Sequence, residues 1–395
     1  MKVAYFTHSL ESCWNHGNAH FLRGVLRELI ARGHDVAVQE PRDSWSRANL
    51  VADHGEAGLE PYRRAYPELS SRRFDEPRLE QALDGVDLVI VHEWNQPALV
   101  AAVGRARKRG GRFTLLFHDT HHRAVSEPEG IRTFDLSGYD GVLAFGETLA
   151  EVYRRWGWGD RVFVWHEAAD VRLFRPPAVE GRRDGLIWIG NWGDGERTRE
   201  LESFLFAPAR EARLGLDIHG VRYPPEALAT LKRFGARYHG WLANAAAPAV
   251  FARHMATVHV PRRFYVRQLP GIPTIRVFEA LACGVPLVCA PWDDREGLFR
   301  PGEDYLIARD GEEMARHLAA LRDDADLRAS LVASGLETIR ARHTCAHRVT
   351  ELLNIVASFE TRRSRAAPQD DELSSRHGEE RQKGASRTTH IEVAS

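Results

Sequence analysis

The chain has 395 residues, 43% of them hydrophobic and 28% charged, with a formal net charge of −1. That length suits two domains with ordinary cores, and the near-neutral balance excludes nucleic acid or an anionic membrane as an expected main partner. No apolar run approaches the ~20 residues of a membrane helix, the opening Met1–Phe6 is too short for a signal h-region, and Cys13, Cys283, Cys289 and Cys345 show no metal spacing. Cys283 and Cys289 lie in apolar surroundings, as buried free thiols of a reducing cytoplasm do.

Lys2–Thr7 is predicted as a first strand. A polar loop over His8–Gly17 follows, then a helix over Asn18–Arg32 with Phe21, Leu22, Val25, Leu26, Leu29 and Ile30 on its apolar face. Gly33 ends the helix and Asp35–Gln39 is a second strand, a βαβ unit that implies a parallel sheet. The dinucleotide glycine fingerprint is absent. A loop at the carboxyl end of the first strand still faces the ligand crevice of such folds, so Gly17 and Asn18 are site candidates; a plain connecting loop is the alternative. Residues 40–75 are polar, weakly periodic and read as a surface excursion.

Val86–Val91 is a strand ending in His92-Glu93-Trp94-Asn95, Gln96–Lys108 a helix and Arg112–Phe117 a further strand. Beyond its predicted end come His118, Asp119, His121, His122 and Arg123. Three readings stand: an active-site histidine positioned by Asp119, a metal site of His118 and Asp119 with His121 or His122, or a solvated loop. Tyr139–Phe145 is a strand, Gly146–Trp156 a helix and Arg161–Trp165 the last strand of a first domain spanning 1–170. The linker lies within His166–Arg183, at 171–183, marked by Pro176 and Pro177.

The pattern restarts in a second domain over 184–343. Gly185–Ile189 is a strand, followed by the loop Gly190-Asn191-Trp192-Gly193-Asp194-Gly195-Glu196-Arg197 and a helix over Thr198–Phe206. This loop matches neither the P-loop nor the dinucleotide pattern, yet it offers flexible amides and a guanidinium suited to phosphate. Strands at Leu214–His219, Ala236–Tyr238 and Thr257–Val260 alternate with helices at Pro225–Phe234 and Ala245–His254, which predicts a second doubly wound sheet. In Pro261–Pro270, Arg262, Arg263 and Arg267 surround Phe264 and Tyr265; contact to a charged small ligand or a solvated loop is favoured over RNA.

Gly271–Ala290 carries the most information. Pro273 suits a first helical turn, Ile275, Phe278, Leu281 and Ala282 share a face, Gly284 stops the helix, and Val285–Ala290 reads as a buried strand. Free amides at 272–274, Thr274 included, form an anion site at the helix start, with Arg276 beside it. Glu279 interrupts the apolar pattern; with a phosphate at the helix start, its carboxylate is placed to hold ribose hydroxyls, a surface glutamate being the alternative. Tyr305–Ala308 is a short strand, Gly311–Leu321 and Ala325–Arg342 are helices, a last helix covers 344–360, and 361–395 is polar enough to be disordered.

FEALACGVPLV resembles the C-terminal signature of GT-B glycosyltransferases, the group that includes family 4. In that family two glutamates are separated by seven residues; Glu279 matches the second, and the first falls on Gly271, where the contact to the donor sugar is missing. The Arg276-Val-Phe-Glu279 wording, with His118-Asp-Thr-His121-His122-Arg123 upstream, looks closest to the CgeB-like, spore-maturation branch. The resemblance implies an α/β fold of two doubly wound Rossmann-like domains facing a cleft, with the last helix crossing back to the first domain. It implies a cytoplasmic enzyme, at most peripheral at the inner membrane face, that moves a sugar from a nucleotide-sugar to a glycan, lipid or small-molecule acceptor. No metal or other cofactor is expected, and the anomeric configuration is retained. Donor contacts are expected from Gly190, Asn191, Arg197, Thr274, Arg276 and Glu279. His118, with Asp119, is the closest match to a family histidine at the donor sugar, and Gly17, Asn18 and His121 lie on loops between donor and acceptor. Most of the ten tryptophans are expected in cores and interfaces, a few at strand ends being placed to stack on sugars. Two other classes stay open: a metal-dependent hydrolase using His118–His122, and a non-catalytic sugar-nucleotide or glycan-binding protein of the same fold, favoured by Gly271.

Overall fold

Short apolar strands alternate with amphipathic helices along the whole chain, and the strands assemble into two parallel sheets. The computed structural model describes residues 1–75, 78–176, 183–193 and 195–366, the last five by backbone alone. The chain divides into a unit Met1–Leu353, which holds both sheets, and a unit Asn354–Ser395, of which only a helical stretch to Ala366 is described.

The first sheet contains β1 (Lys2–Phe6), β2 (Asp35–Pro41), β3 (Ser71–Phe74), β4 (Leu88–His92), β5 (Thr114–Asp119), β6 (Gly141–Ala144) and β7 (Val162–Val164) in the order β3-β2-β1-β4-β5-β6-β7. The second contains β8 (Leu186–Ile189), β9 (Leu216–His219), β10 (Arg237–Tyr238), β11 (Ala256–His259), β12 (Leu287–Cys289) and β13 (Leu306–Ile307) in the order β10-β9-β8-β11-β12-β13. Every pairing is parallel. The central strands are covered on both faces, which is why Val3–Phe6, Leu88–Val91 and Leu115–Phe117 are continuous apolar runs rather than alternating ones. Strand order reverses between β1 and β4 and again between β8 and β11. Ligand crevices open at such switch points, beyond the carboxyl ends of the strands.

Several expectations are corrected. Residues 40–75 are not a loose excursion: they form helices at Trp45–His54 and Glu60–Ala65 and the edge strand β3. Their polarity reflects edge and surface positions, where little apolar area is needed. β5 runs two residues further than predicted, so His118 and Asp119 lie inside the sheet and are fully buried. The helix after Gly271 is Ile275–Ala282, so Pro273 precedes it. The last helix runs Cys345–Ala366, beyond the expected stop at 360; the rest of the tail expected to be disordered, 367–395, lies outside the described residues, as does 177–182 of the linker. The first turns of that helix lie against the first sheet's elements: Trp165 Nε1 donates to the Arg348 carbonyl at 2.8 Å, and Arg32 donates to the Ala346 carbonyl at 2.8 Å and to Thr350 Oγ1 at 2.9 Å. The four cysteines are free thiols. Among the described residues no helix is long and apolar enough to cross a membrane.

Candidate active site

A cavity of about 1200 Å³ opens beyond the carboxyl ends of β1, β4 and β5, and a smaller one of about 250 Å³ lies beyond β8 and β11. They share the wall formed by Asn15, His16, Gly17, Asn191, Thr274 and Ile275, so they are two ends of one crevice. Gly17 brings the first loop close to the second half: a Cβ there would lie 3.5 Å from Ile275 Cγ2. The loop after β1 therefore meets the start of the Ile275–Ala282 helix.

The smaller cavity is rich in polar atoms without partners. Arg197 Nε, His219 Nδ1, Trp241 Nε1 and His259 Nδ1 are all buried, line it or belong to residues that do, and have no hydrogen-bond partner in the protein. Buried polar groups are nearly always paired, so a cluster of orphans around one cavity marks a place for a polar ligand. Arg197 is the charge among them. Its guanidinium donates to the Val260 carbonyl at 2.7 Å and the Asn191 carbonyl at 2.7 Å and lies over the Trp188 ring at 5.2 Å. Burial pushes its pKa down to about 10, which still leaves it charged at neutral pH. Asn191 is fixed by its side chain, which donates to Asn15 Oδ1 and accepts from the Val221 amide at 3.1 Å. The Gly190 carbonyl accepts from the Tyr223 hydroxyl at 2.8 Å, and its amide donates to the His219 carbonyl at 2.9 Å, so it shapes the wall without offering a free amide.

At the helix start, Thr274 has extended backbone and makes no side-chain cap; its hydroxyl pairs with His259 Nε2 at 3.2 Å instead. Arg276 lines the smaller cavity and forms an ion pair with Glu279. Glu279 itself faces neither cavity. It is fully buried, and its Oε1 accepts from His20 Nδ1 at 3.0 Å and from Asn244 Nδ2 at 2.8 Å. The Asp170 amide donates to His20 Nε2 at 2.8 Å, which fixes the proton on Nδ1 and makes His20 a donor to Glu279. Burial raises the Glu279 pKa, but the Arg276 charge and the His20 hydrogen bond outweigh it and hold the carboxyl below its ordinary range. The ribose contact expected of Glu279 is thus absent from this arrangement; the carboxylate joins the Ala19–Ala31 helix to the second sheet's elements, and reaching a ligand requires displacing a partner. Gly271 also lies outside both cavities. Its φ is +96°, and a Cβ there would meet Arg295 Cβ at 3.3 Å, so a side chain would point at the Asp293–Arg295 turn.

The histidine cluster divides. Adjacent strand residues point to opposite faces, so His118 and Asp119 part company. His118 Nδ1 bonds the Tyr5 hydroxyl at 2.7 Å, its ring packs 4.8 Å from that of Trp165, and burial pushes its pKa down to about 3. Asp119 accepts from the Tyr153 hydroxyl at 2.7 Å and from the His121 amide at 3.0 Å, and burial raises its pKa to about 6. Neither lines the two cavities, so the catalytic contact expected of His118 and Asp119 is not seen in this arrangement; Asp119 holds the backbone of His121. His121 and His122 do face the larger cavity. Their rings lie 4.0 Å apart, and burial keeps both pKa values below the ordinary range. Among the described residues no group of three or more His, Cys, Asp or Glu side chains is placed to hold a metal ion.

Residues 17–173 match the model of Glycosyltransferase Family 4, and residues 197–354 match a glycosyl transferase-like model. This is a GT-B glycosyltransferase fold. Among solved structures similar to it are sucrose-phosphate synthase (tll1590) from Thermosynechococcus elongatus, with TM-score 0.65 and 15% identity over 91% of this chain and 99% of that one. Anabaena Alr3699/HepE in complex with UDP has TM-score 0.61 and 13% identity over 91% and 100%. An alpha-glucosyltransferase in complex with UDP and a 13-mer DNA has TM-score 0.66 and 13% identity over 90% and 99%. None of the curated proteins searched matches the sequence.

One residue of the GT-B crevice escaped the sequence reading. Glu167 follows β7, at the end of the stretch assigned to the first domain, and its buried carboxyl lines the larger cavity. It accepts from Asn18 Nδ2 at 3.1 Å, and the Ile275 amide at the helix start helps to oppose the rise in its pKa. Burial raises its pKa to about 8, with Glu279 adding to the effect and Asn18 and Arg276 opposing it. Its position after a strand's carboxyl end was the available signal.

Proposed function

We propose that the chain transfers a hexosyl group from a nucleoside-diphosphate sugar to a hydroxyl acceptor. The donor lies in the smaller cavity, walled mainly by 184–343, and the acceptor in the larger one, walled mainly by 1–170. The observation that carries this reading is the ring of unpartnered polar atoms around a pinned, charged Arg197 at the smaller cavity. A departing diphosphate gains negative charge in the transition state, and fixed positive groups aimed at it stabilise that charge without reorganising. Arg197, Arg276 and the start of the Ile275–Ala282 helix supply such groups, so the reaction is assigned no metal. The acceptor oxygen bonds the anomeric carbon as the bond to the diphosphate breaks, and the hydroxyl proton leaves with the nucleoside diphosphate.

UDP is the nucleotide assigned to the donor, since Anabaena Alr3699/HepE was solved with UDP-glucose and T4 phage BGT with its UDP-glucose substrate. Retention of configuration is assigned from the family 4 likeness, membership of the CgeB-like branch from the Arg276-Val-Phe-Glu279 wording with His118–Arg123 upstream, and the placement is cytoplasmic, at most peripheral to the membrane. The test is release of UDP from UDP-hexoses in the presence of EDTA, with the product anomer read by NMR. Turnover that survives EDTA supports the reading; turnover that requires added metal, or UDP binding with no turnover on any acceptor, replaces it with a metal-dependent or a binding-only protein. Gly271 is the observation favouring the second of these.

A further inference from the structure

Only five large hydrophobic side chains among the described residues are strongly exposed, and two are tryptophans: Trp45 at 52% and Trp94 at 43%. Both line the larger cavity. An indole left in water forgoes more burial than almost any other side chain, and two facing one cavity call for an occupant. Neither is loose. Trp45 packs edge-on against Trp14 with centroids 5.0 Å apart, and Trp14 is pinned through Nε1 to Asp53 at 2.8 Å. Trp94 carries the Arg123 guanidinium 4.7 Å from its centroid and the His121 ring at 5.2 Å. These are rigid platforms rather than mobile side chains.

The charge around them narrows the ligand. Asp43, Asp75 and Glu127 line the same cavity together with Arg222 and Arg262, the latter paired with Glu196 at 3.0 Å, and its histidines are kept neutral by burial. A wall on which these carboxylates offset the arginines offers no net attraction to a polyanion. The volume, about 1200 Å³, is above the ~300–1,000 Å³ usual for a small-molecule site, so more than one ring can enter. Sugar rings present polar edges and C–H faces; the negative face of an indole attracts the latter, and carboxylates and amides such as Asn95 and Gln96 take the hydroxyls.

We propose that the larger cavity is the acceptor site and that its occupant is an uncharged oligosaccharide end, stacked on Trp94 and Trp45. The proposal rests on the glycosyltransferase reading above and names its acceptor class. The test uses the full chain with saturating UDP in saturation-transfer NMR. The probes are maltotriose, cellotriose, mannotriose and triacetylchitotriose, with farnesyl phosphate and a short oligodeoxynucleotide as anionic alternatives. At least one neutral trisaccharide is expected to bind through its ring C–H protons. Trp94→Ala and Trp45→Ala are each expected to weaken it about tenfold, while Trp94→Phe keeps it within about threefold, in keeping with the size of aromatic contacts. The UDP-induced rise in melting temperature is measured on the same samples and is expected to be unchanged in the variants. If UDP stabilises the protein but no saccharide binds, if binding ignores both tryptophans, or if an anionic probe binds at Trp94 instead, the acceptor proposal is wrong. If UDP has no effect on the wild type, it is the donor reading that fails.

Discussion

Removing the Glu279 carboxylate strands three donors at once: His20 Nδ1, Asn244 Nδ2 and Arg276. Breaking a buried, charge-assisted network in this way costs about 3–5 kcal/mol. Glu279→Ala is therefore expected to unfold at clearly lower denaturant concentration even without ligand; a variant as stable as wild type would show that the network is not formed. Glu167 gives a pH signature. Its raised pKa means that it is neutral below about pH 8, and that above this value a negative charge appears at the helix start. UDP affinity is expected to fall as pH rises through 8 in the wild type and to stay level in Glu167→Gln, measured by calorimetric titration between pH 6 and 9. Equal profiles would separate Glu167 from the anion site. Glu279 was legible as an oddity because a carboxylate broke an apolar helix face. Its partner His20 was not, since the two are 259 positions apart and only the folded chain joins them.

The Ala19–Ala31 helix packs so closely that its Gly24 has no room for a methyl group: a Cβ would lie 2.4 Å from Cys345 Sγ and 2.8 Å from Asp170 Cβ. Two effects oppose in Gly24→Ala. Helix propensity gains about 1 kcal/mol, and overpacking costs about 1–3 kcal/mol. The expected outcome is net destabilisation in chemical denaturation; a more stable variant would contradict the close packing of this helix on Cys345 and Asp170. At this scale most strands and helices were legible, because central parallel strands must be continuously apolar and surface helices must repeat near 3.6 residues. β3 and the two helices before it were missed because edge and surface elements bury little and leave a weak pattern. β5 was cut short because His118 and Asp119 read as a polar stop, whereas a strand covered on both faces buries polar residues when tyrosines are placed to bond them.

The molecule as a whole holds many imidazoles uncharged. Burial pushes His8 down to about 4 and His118, His122, His259 and His343 to about 3. Unfolded, each binds a proton near pH 6.5; folded, each resists until much lower pH. The unfolded state therefore takes up more protons below 6.5, and stability falls with falling pH. Glu167 and Asp119, raised to about 8 and 6, act in the opposite direction but are outnumbered. The melting temperature is expected to drop steeply between pH 7 and pH 5 in scanning calorimetry; a flat profile would contradict the neutral histidine core. The two-sheet architecture was legible from alternation alone, and loops such as those of Gly17 and Arg197 were legible as crevice walls, but their pairing across the crevice was not, because only the folded chain brings them together.

The most direct measurement is the melting temperature of wild type and Arg197→Met with UDP, GDP, ADP or dTDP, with and without EDTA. A nucleotide at a hundred times its dissociation constant adds about 2.7 kcal/mol to stability. The account predicts that UDP raises the wild-type melting temperature, that EDTA leaves the rise intact, and that Arg197→Met loses it. No response of the wild type to any of the four, or an equal response in Arg197→Met, would contradict the donor site described here.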